Sequence, residues 1–389
     1  MNINQQRDLH SENNLLLSIL RESQNTQQLI SPKISGNIHH LANLHGVIPQ
    51  LYIAIKKNKD LLDKEQDHTI QQTQQHILKQ NLLLTAHLLT ITKTLDQHHF
   101  PYLSIKGPTL AYELYRDISM RQYSDIDLFV NVTDIHAISN ILILLEFEPV
   151  LPLSLLSRKK FLELDNDFSF KHKKTNALIE LHWKLFPLRH KMPLNFTELY
   201  KTSKKLNIQQ RDIQTLSETH NLLYLTLHGA KHIFERYEWV YDLDQLMRIY
   251  PDMDLEELYL DAKALQVEVP FLLGVFLSHH LFKTPLSDTF KTYCTAQIED
   301  LIQKVLHYYN EGFVYWDEYD KKQARFLFLT ALFQDKQSKQ FQLFTALFKT
   351  TPVDIITFNL PDNLAFIYPL MRPFRLLYKH LFTKKPVYT

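Results

Sequence analysis

The chain holds one cysteine, Cys294, in 389 residues. No intrachain disulfide, thiolate zinc cluster or iron–sulfur cluster can form from it. A reducing, cytoplasmic setting fits that economy. Glycine is almost as scarce, with six residues: Gly36, Gly46, Gly107, Gly229, Gly274 and Gly312. No two lie close enough for a P-loop, a dinucleotide-binding fingerprint or a Gly-x-Ser-x-Gly elbow. No apolar run approaches the roughly 18 residues that suggest a membrane span. The best, Phe271 to Leu277, is far shorter, and the polar start, Met1 to Asn14, lacks the apolar stretch of a signal peptide. Charge of one sign is missing too. Lys and Arg number 43 against 42 Asp and Glu, a formal net charge of +1. That balance supplies no global field for duplex nucleic acid or an anionic membrane, although local basic patches stay open.

What is present is ordinary globular material. The chain is 45% hydrophobic and 22% charged, enough for a sizeable core and two or three domains. Helical periodicity runs through Leu15 to Leu20, Ile38 to Lys56 and Thr69 to Leu95, the last as one long helix. The pattern changes near Pro101. Tyr102 to Ile105, Asp125 to Val130, Asp167 to Lys171 and Ala177 to Trp183 read as strands, with helices at Thr109 to Tyr115 and Asp134 to Leu145. Helical patterning returns at His220 to Ala230, Trp239 to Tyr250, Leu255 to Leu265 and Phe271 to Phe282. The expected class is α+β, with a small mixed sheet between helical flanks. The expected division is an N-terminal helical segment, 1–97, a core, 98–186, and a C-terminal helical region, 187–389.

Chemistry concentrates in Lys106-Gly107-Pro108, then Arg121, Ser124, Asp125, Ile126 and Asp127, then Glu180. Alternate strand residues share a face, so Asp125 and Asp127 face one way while Ile126 and Leu128 enter the core. Paired carboxylates repel unless a cation bridges them. Hard oxygen ligands at that spacing suit Mg²⁺ or Mn²⁺. Glu180, inside the alternating run Leu178 to His182, would add a third carboxylate from a neighbouring strand. Such a set can hold two ions for in-line displacement at phosphorus.

In the order of these motifs the chain resembles the bacterial uncharacterised nucleotidyltransferases of the DNA polymerase β-like superfamily. The resemblance rests on Ile105-Lys106-Gly107, Arg121, Asp125-Ile126-Asp127-Leu128 and Glu180-Leu181-His182-Trp183. His45-Gly46-Val47-Ile48-Pro49 and His228-Gly229-Ala230-Lys231-His232, followed by Trp239 and Asp242, extend it from about Ile38 to Arg248. It implies a polymerase β-like core and metal-dependent transfer of a nucleoside monophosphate from an NTP, ATP being the expected one, with release of pyrophosphate. On this resemblance Asp125 and Asp127 hold both metals, and Glu180 holds the catalytic one and helps activate an acceptor hydroxyl. Gly107 at a helix start cradles phosphate, Lys106 and Arg121 neutralise the triphosphate, and Ser124 lines the nucleotide site. Pro108 departs from the wider superfamily's Gly-Ser turn and has no N–H to donate.

His228 and His232, at i and i+4, share a helix face and are expected to wall the nucleotide site, to be structural, or to bind metal alone. His182 should face the same way as Glu180, as a ligand-orienting or a structural histidine. Trp183, Trp239 and Trp316 read as core anchors, and the basic tail with Arg372, Arg375 and Lys379 as a solvated face. Near-zero charge favours a small-molecule or protein acceptor over long nucleic acid. Two rival readings are a non-catalytic scaffold that kept the fold and a toxin-like enzyme modifying tRNA.

Overall fold

The structure, a computed structural model, describes residues 3–23, 38–57, 64–185, 195–332 and 347–382. The N-terminal part folds as α1 (Ile3–Ser23), α2 (Ile38–Leu44), α3 (Ile48–Lys57) and α4 (Lys64–Gln97). The continuous pattern from Ile38 to Lys56 is broken at Gly46, which adopts φ +72° between α2 and α3. A side chain there would run into the carboxylate of Glu238, so both backbone and space demand glycine.

The 34-residue α4 spans two cores. Ile70 and Ile77 pack among helices, whereas Leu84, Leu88, Ile91 and Leu95, at helical spacing, cover the sheet. The sheet comprises β1 (Tyr102–Ser104), β2 (Asp125–Val130), β3 (Phe147–Pro149), β4 (Asp167–His172) and β5 (Leu178–His182), in the order β1-β2-β5-β4-β3. The β2–β5 pair is parallel and the other pairs are antiparallel. Between the strands lie α5 (Gly107–Tyr115), α6 (Ile135–Leu144) and α7 (Lys159–Leu164). The architecture is therefore α+β, a small mixed sheet set among helices.

Alternation decides what each face carries. Ile126, Leu128 and Val130 on β2, Ile179 and Leu181 on β5, and Phe168 and Phe170 on β4 fill the core under α4 and α6. The opposite face is left with Asp125, Asp127, Glu180, His182 and Asp167, alongside Phe129, which enters the helical core.

The region from 187 onward, read from sequence as helical, is mostly so within its described residues. It contains α8 (Phe196–Lys201), α9 (Glu218–Lys231), α10 (Tyr237–Ile249), α11 (Leu255–Ala264), α12 (Glu268–Phe282), α13 (Asp288–Lys291), α14 (Ala296–Asn310) and α15 (Glu318–Leu332). Two further helices follow, Pro352–Phe358 and Tyr368–Phe382. It also holds a hairpin that the sequence reading lacks, β6 (Lys204–Ile208) and β7 (Arg211–Thr215). Its turn residues Gln209 and Gln210 take φ +48° and +64°, positions where Asn-Gly is the usual signal. Glutamine there hides the turn. Ile208 and Ile213 join the sheet core, so the hairpin packs onto the strands that precede it.

The tail differs from the solvated face expected of it. Arg372 and Arg375 reach Asp354 at 2.8 and 2.6 Å, and Asp354 is fully buried. The side chain of Lys379 lies outside the described residues. Trp183 is buried against Phe161, and Trp316 packs on Phe313, as core anchors do.

Candidate active site

Parallel pairing sets Asp127 of β2 directly beside Glu180 of β5. His182, two residues on, points to the same face. Its Nε2 lies 3.0 Å from Asp127 Oδ1 and 3.4 Å from Glu180 Oε2. Lys106 Nζ lies 3.1 Å from the same Asp127 oxygen. Burial opposes ionisation of Asp127, yet the charges and hydrogen bonds of Lys106 and His182 outweigh it and hold the acid well below the usual range. Asp125 goes the other way. Burial, then the negative charges of Asp127 and Glu180, push it up to about 7. Burial lowers His182, but hydrogen bonding to both acids raises it further, to about 9.

The donor set fits a hard divalent cation. Asp127, Glu180 and His182 each offer a ligand atom, all within 4.8 Å of one another. Among the described residues the buried Asp127 Oδ2 has no hydrogen-bond partner, an uncommon and costly state for a carboxylate oxygen. A cation at that oxygen would satisfy it. The sequence reading named Asp125 with Asp127 and Glu180. The compact group contains the latter two with His182 in place of Asp125, whose carboxylate stands at the entry of β2.

Lys106 and Gly107 start α5 beside this group. Gly107 takes φ +54°, and a Cβ there would come within 2.8 Å of the Asp125 carbonyl oxygen. The turn thus lies directly against β2. The half-buried Lys106 ammonium lies between Asp127 and the ring of Tyr224, 6.0 Å away. Burial alone would lower it; Asp127 more than offsets this and keeps it charged.

Arg121 is not disposed as the resemblance implied. Its Nε donates to Asp242 Oδ2 at 2.9 Å, and its other end lies 3.0 Å from Glu238 Oε1. The side chain is almost wholly buried and Tyr115 adds a hydroxyl to Asp242 at 3.4 Å. Its guanidinium is engaged by α10 rather than turned to a triphosphate. Glu238 and Asp242 lie far along the chain, so local sequence gave no hint of the pairing. Ser124 is exposed beside Asp125.

The turn from Ile118 to Arg121 is held by amide side chains from the N-terminal helices. Gln50 donates to the Met120 carbonyl at 2.8 Å, Gln74 to Ser119 at 3.0 Å, and Asn81 to Ile118 and Arg121 at 2.6 and 2.8 Å. These three residues carried no sequence signal, because glutamine and asparagine on helices are unremarkable.

His228 and His232 sit on α9 with rings 5.0 Å apart, each 5.3 Å from Trp239. Burial and then nearby cations hold His228 well below its ordinary value and His232 at about 3, so both are neutral at pH 7. They belong to no group of metal-ligating side chains among the described residues. The charge of Lys106 is among those that lower both. Two further residues reach the site, Asp167 on β4 and Lys231 on α9. Asp167 was legible, since alternation with Phe168 and Phe170 places it on the face of Glu180.

The motif order, the mixed sheet and the acid-lined face define a nucleotidyltransferase class of protein. Residues 35–283 match the family described as uncharacterised nucleotidyltransferase, well over half the chain, and the chain belongs to that family. No curated protein matches. Two solved structures show low similarity. One is the lincomycin-bound lincosamide antibiotic adenylyltransferase LnuA, 14% identical, with 42% of this chain and 95% of that one covered and a TM-score of 0.31. The other is an antigenic nucleotidyltransferase-like protein from Paracoccidioides brasiliensis, 16% identical, with 55% and 95% covered and a TM-score of 0.35. Among the described residues no helix is long and apolar enough to cross a membrane.

Proposed function

We propose that the protein is a Mg²⁺- or Mn²⁺-dependent nucleotidyltransferase. It moves a nucleoside monophosphate from an NTP, ATP in the first instance, to an acceptor hydroxyl on a small molecule or protein. The observation that carries this reading is the convergence of Asp127, Glu180 and His182 around a buried Asp127 oxygen that has no hydrogen-bond partner among the described residues. These three would hold the ion, with Asp125 at the entry to the site. A bound cation would supply charge neutralisation at the reacting phosphate and make an oxygen bound to it more acidic.

The chain's own groups account for the rest. The α5 start at Gly107, with Lys106, offers positive potential to phosphates. The acceptor oxygen bonds to the α-phosphorus as the bridge to the β-phosphate breaks, and pyrophosphate leaves with that electron pair. The hydroxyl proton passes to Glu180, whose side chain is the more solvent-open of the two paired acids. Arg121 acts at a distance, by fixing the turn that leads into β2.

The test is equilibrium binding and label transfer with α-labelled NTPs, with and without Mg²⁺ or Mn²⁺. Wild type should bind an NTP in a metal-dependent way, and Asp127→Asn should lose that dependence while remaining folded. A folded wild type that binds no NTP with either metal would leave a scaffold that kept the fold.

A further inference from the structure

The sheet sets the chemistry out in a row. Across its edge come the Lys106–Gly107 turn after β1, Asp125 and Asp127 on β2, Glu180 and His182 on β5, and Asp167 on β4. Displacement at phosphorus runs in line, with the incoming oxygen and the departing pyrophosphate on opposite sides. A triphosphate seated at the Gly107 turn therefore leaves the acceptor at the other end, beside Glu180 and Asp167.

That end has its own wall. Tyr224, His228 and Lys231 recur at i, i+4 and i+7 on α9 and share one face. Tyr224 lies against Lys106, and Lys231 comes within electrostatic reach of Asp167, Glu180 and Asp165. Lys231 is partly buried, yet among the described residues it makes neither an ion pair nor a hydrogen bond. A half-desolvated ammonium without a partner is costly to hold. Lys106 is different, because Asp127 already engages it at 3.1 Å. Beside Lys231, the two neutral imidazoles and the Trp239 indole give an uncharged aromatic surface.

We propose that Lys231, with Asp167 opposite, forms the acceptor subsite, and that it takes an acceptor carrying an anionic group, a carboxylate or phosphate, near the reacting hydroxyl. The assignment rests on the nucleotidyl-transfer reading of the same site. Lys231 supplies the counter-charge and Asp167 accepts a hydrogen bond from the polar body of the acceptor.

Calorimetric titration of inorganic phosphate into the full chain with Mg²⁺ tests this, with and without a saturating non-hydrolysable NTP analogue. A parallel arm uses glycerate, to separate carboxylate from phosphate. Phosphate or glycerate should bind alongside the analogue. Lys231→Ala should weaken that binding at least tenfold with unchanged melting, and Lys231→Arg should largely restore it. Displacement of the anion by the analogue would put Lys231 on the triphosphate and overturn the assignment. Equal anion affinity in wild type and Lys231→Ala would do the same. If the analogue fails to bind wild type while anion binding still needs Lys231, the nucleotide reading fails and the anion subsite stands.

Discussion

Replacing Arg121 with leucine separates two accounts of that residue. The guanidinium lies between Glu238 and Asp242, and all three side chains are at least nine-tenths buried. Removing one partner from a buried ionic cluster costs about 3–5 kcal/mol, because charge is left uncompensated. Here the lower end applies. Burial, partly offset by Arg121, already pushes Glu238 up to about 7, so this acid can take up a proton when the guanidinium goes. A loss of about 3 kcal/mol corresponds to roughly a hundredfold in the folded-to-unfolded ratio. Urea unfolding followed by circular dichroism reads it directly. The loss should shrink below pH 7 as the stranded acids protonate, and adding Glu238→Gln to Arg121→Leu should recover part of it. Were Arg121 a free phosphate ligand, Arg121→Leu would leave stability within about 0.5 kcal/mol of wild type and weaken only NTP binding. That result would refute the buried-cluster account.

Gly107→Ala should lose about 1–3 kcal/mol, from positive φ and the close approach to the Asp125 carbonyl; metal-dependent NTP binding should fall with the melting temperature. His45 stacks on Tyr237 at 4.0 Å, and burial, then Arg236 and Lys321, lower it from 6.5 to about 3. Its folded value lies below the unfolded one, so the stability it contributes is complete above pH 6.5 and lost as pH falls towards 3. His45→Phe, which cannot be protonated, should flatten the acid limb of the stability profile. Asp354→Ala strands Arg372 and Arg375 and should raise hydrogen exchange across Tyr368–Phe382, while NTP binding stays unchanged.

The site was legible in proportion to how local its parts are. Asp125, Asp127 and Glu180 could be read because strand alternation has a period of two, and a period survives without knowledge of neighbours. Lys106-Gly107 could be read because a glycine ahead of a helix is a local signal. Arg121 was placed by motif order, but its partners come from α10, and nothing near it in the chain reports on them. The same holds for Gln50, Gln74 and Asn81, whose amides matter only because the 118–121 turn lies against them. The β6–β7 hairpin escaped because its turn uses glutamines where glycine or asparagine gives the usual sign.

By itself, the sequence determined that the chain is α+β, that an acid pair and a third carboxylate share one sheet face, and that the lone cysteine and six glycines exclude several cofactor folds. Periodicity and composition are enough for that, since they depend on the chain alone. Only the tertiary structure decided that His182 joins Asp127 and Glu180, that Arg121 is consumed by Glu238 and Asp242, and that Lys231, with no ion pair among the described residues, comes within electrostatic reach of Asp167. The physical reason is that charge pairing acts through space. Whether a buried ion is free to meet a ligand depends on what the rest of the fold places within about 4 Å of it, and no spacing along the chain encodes that.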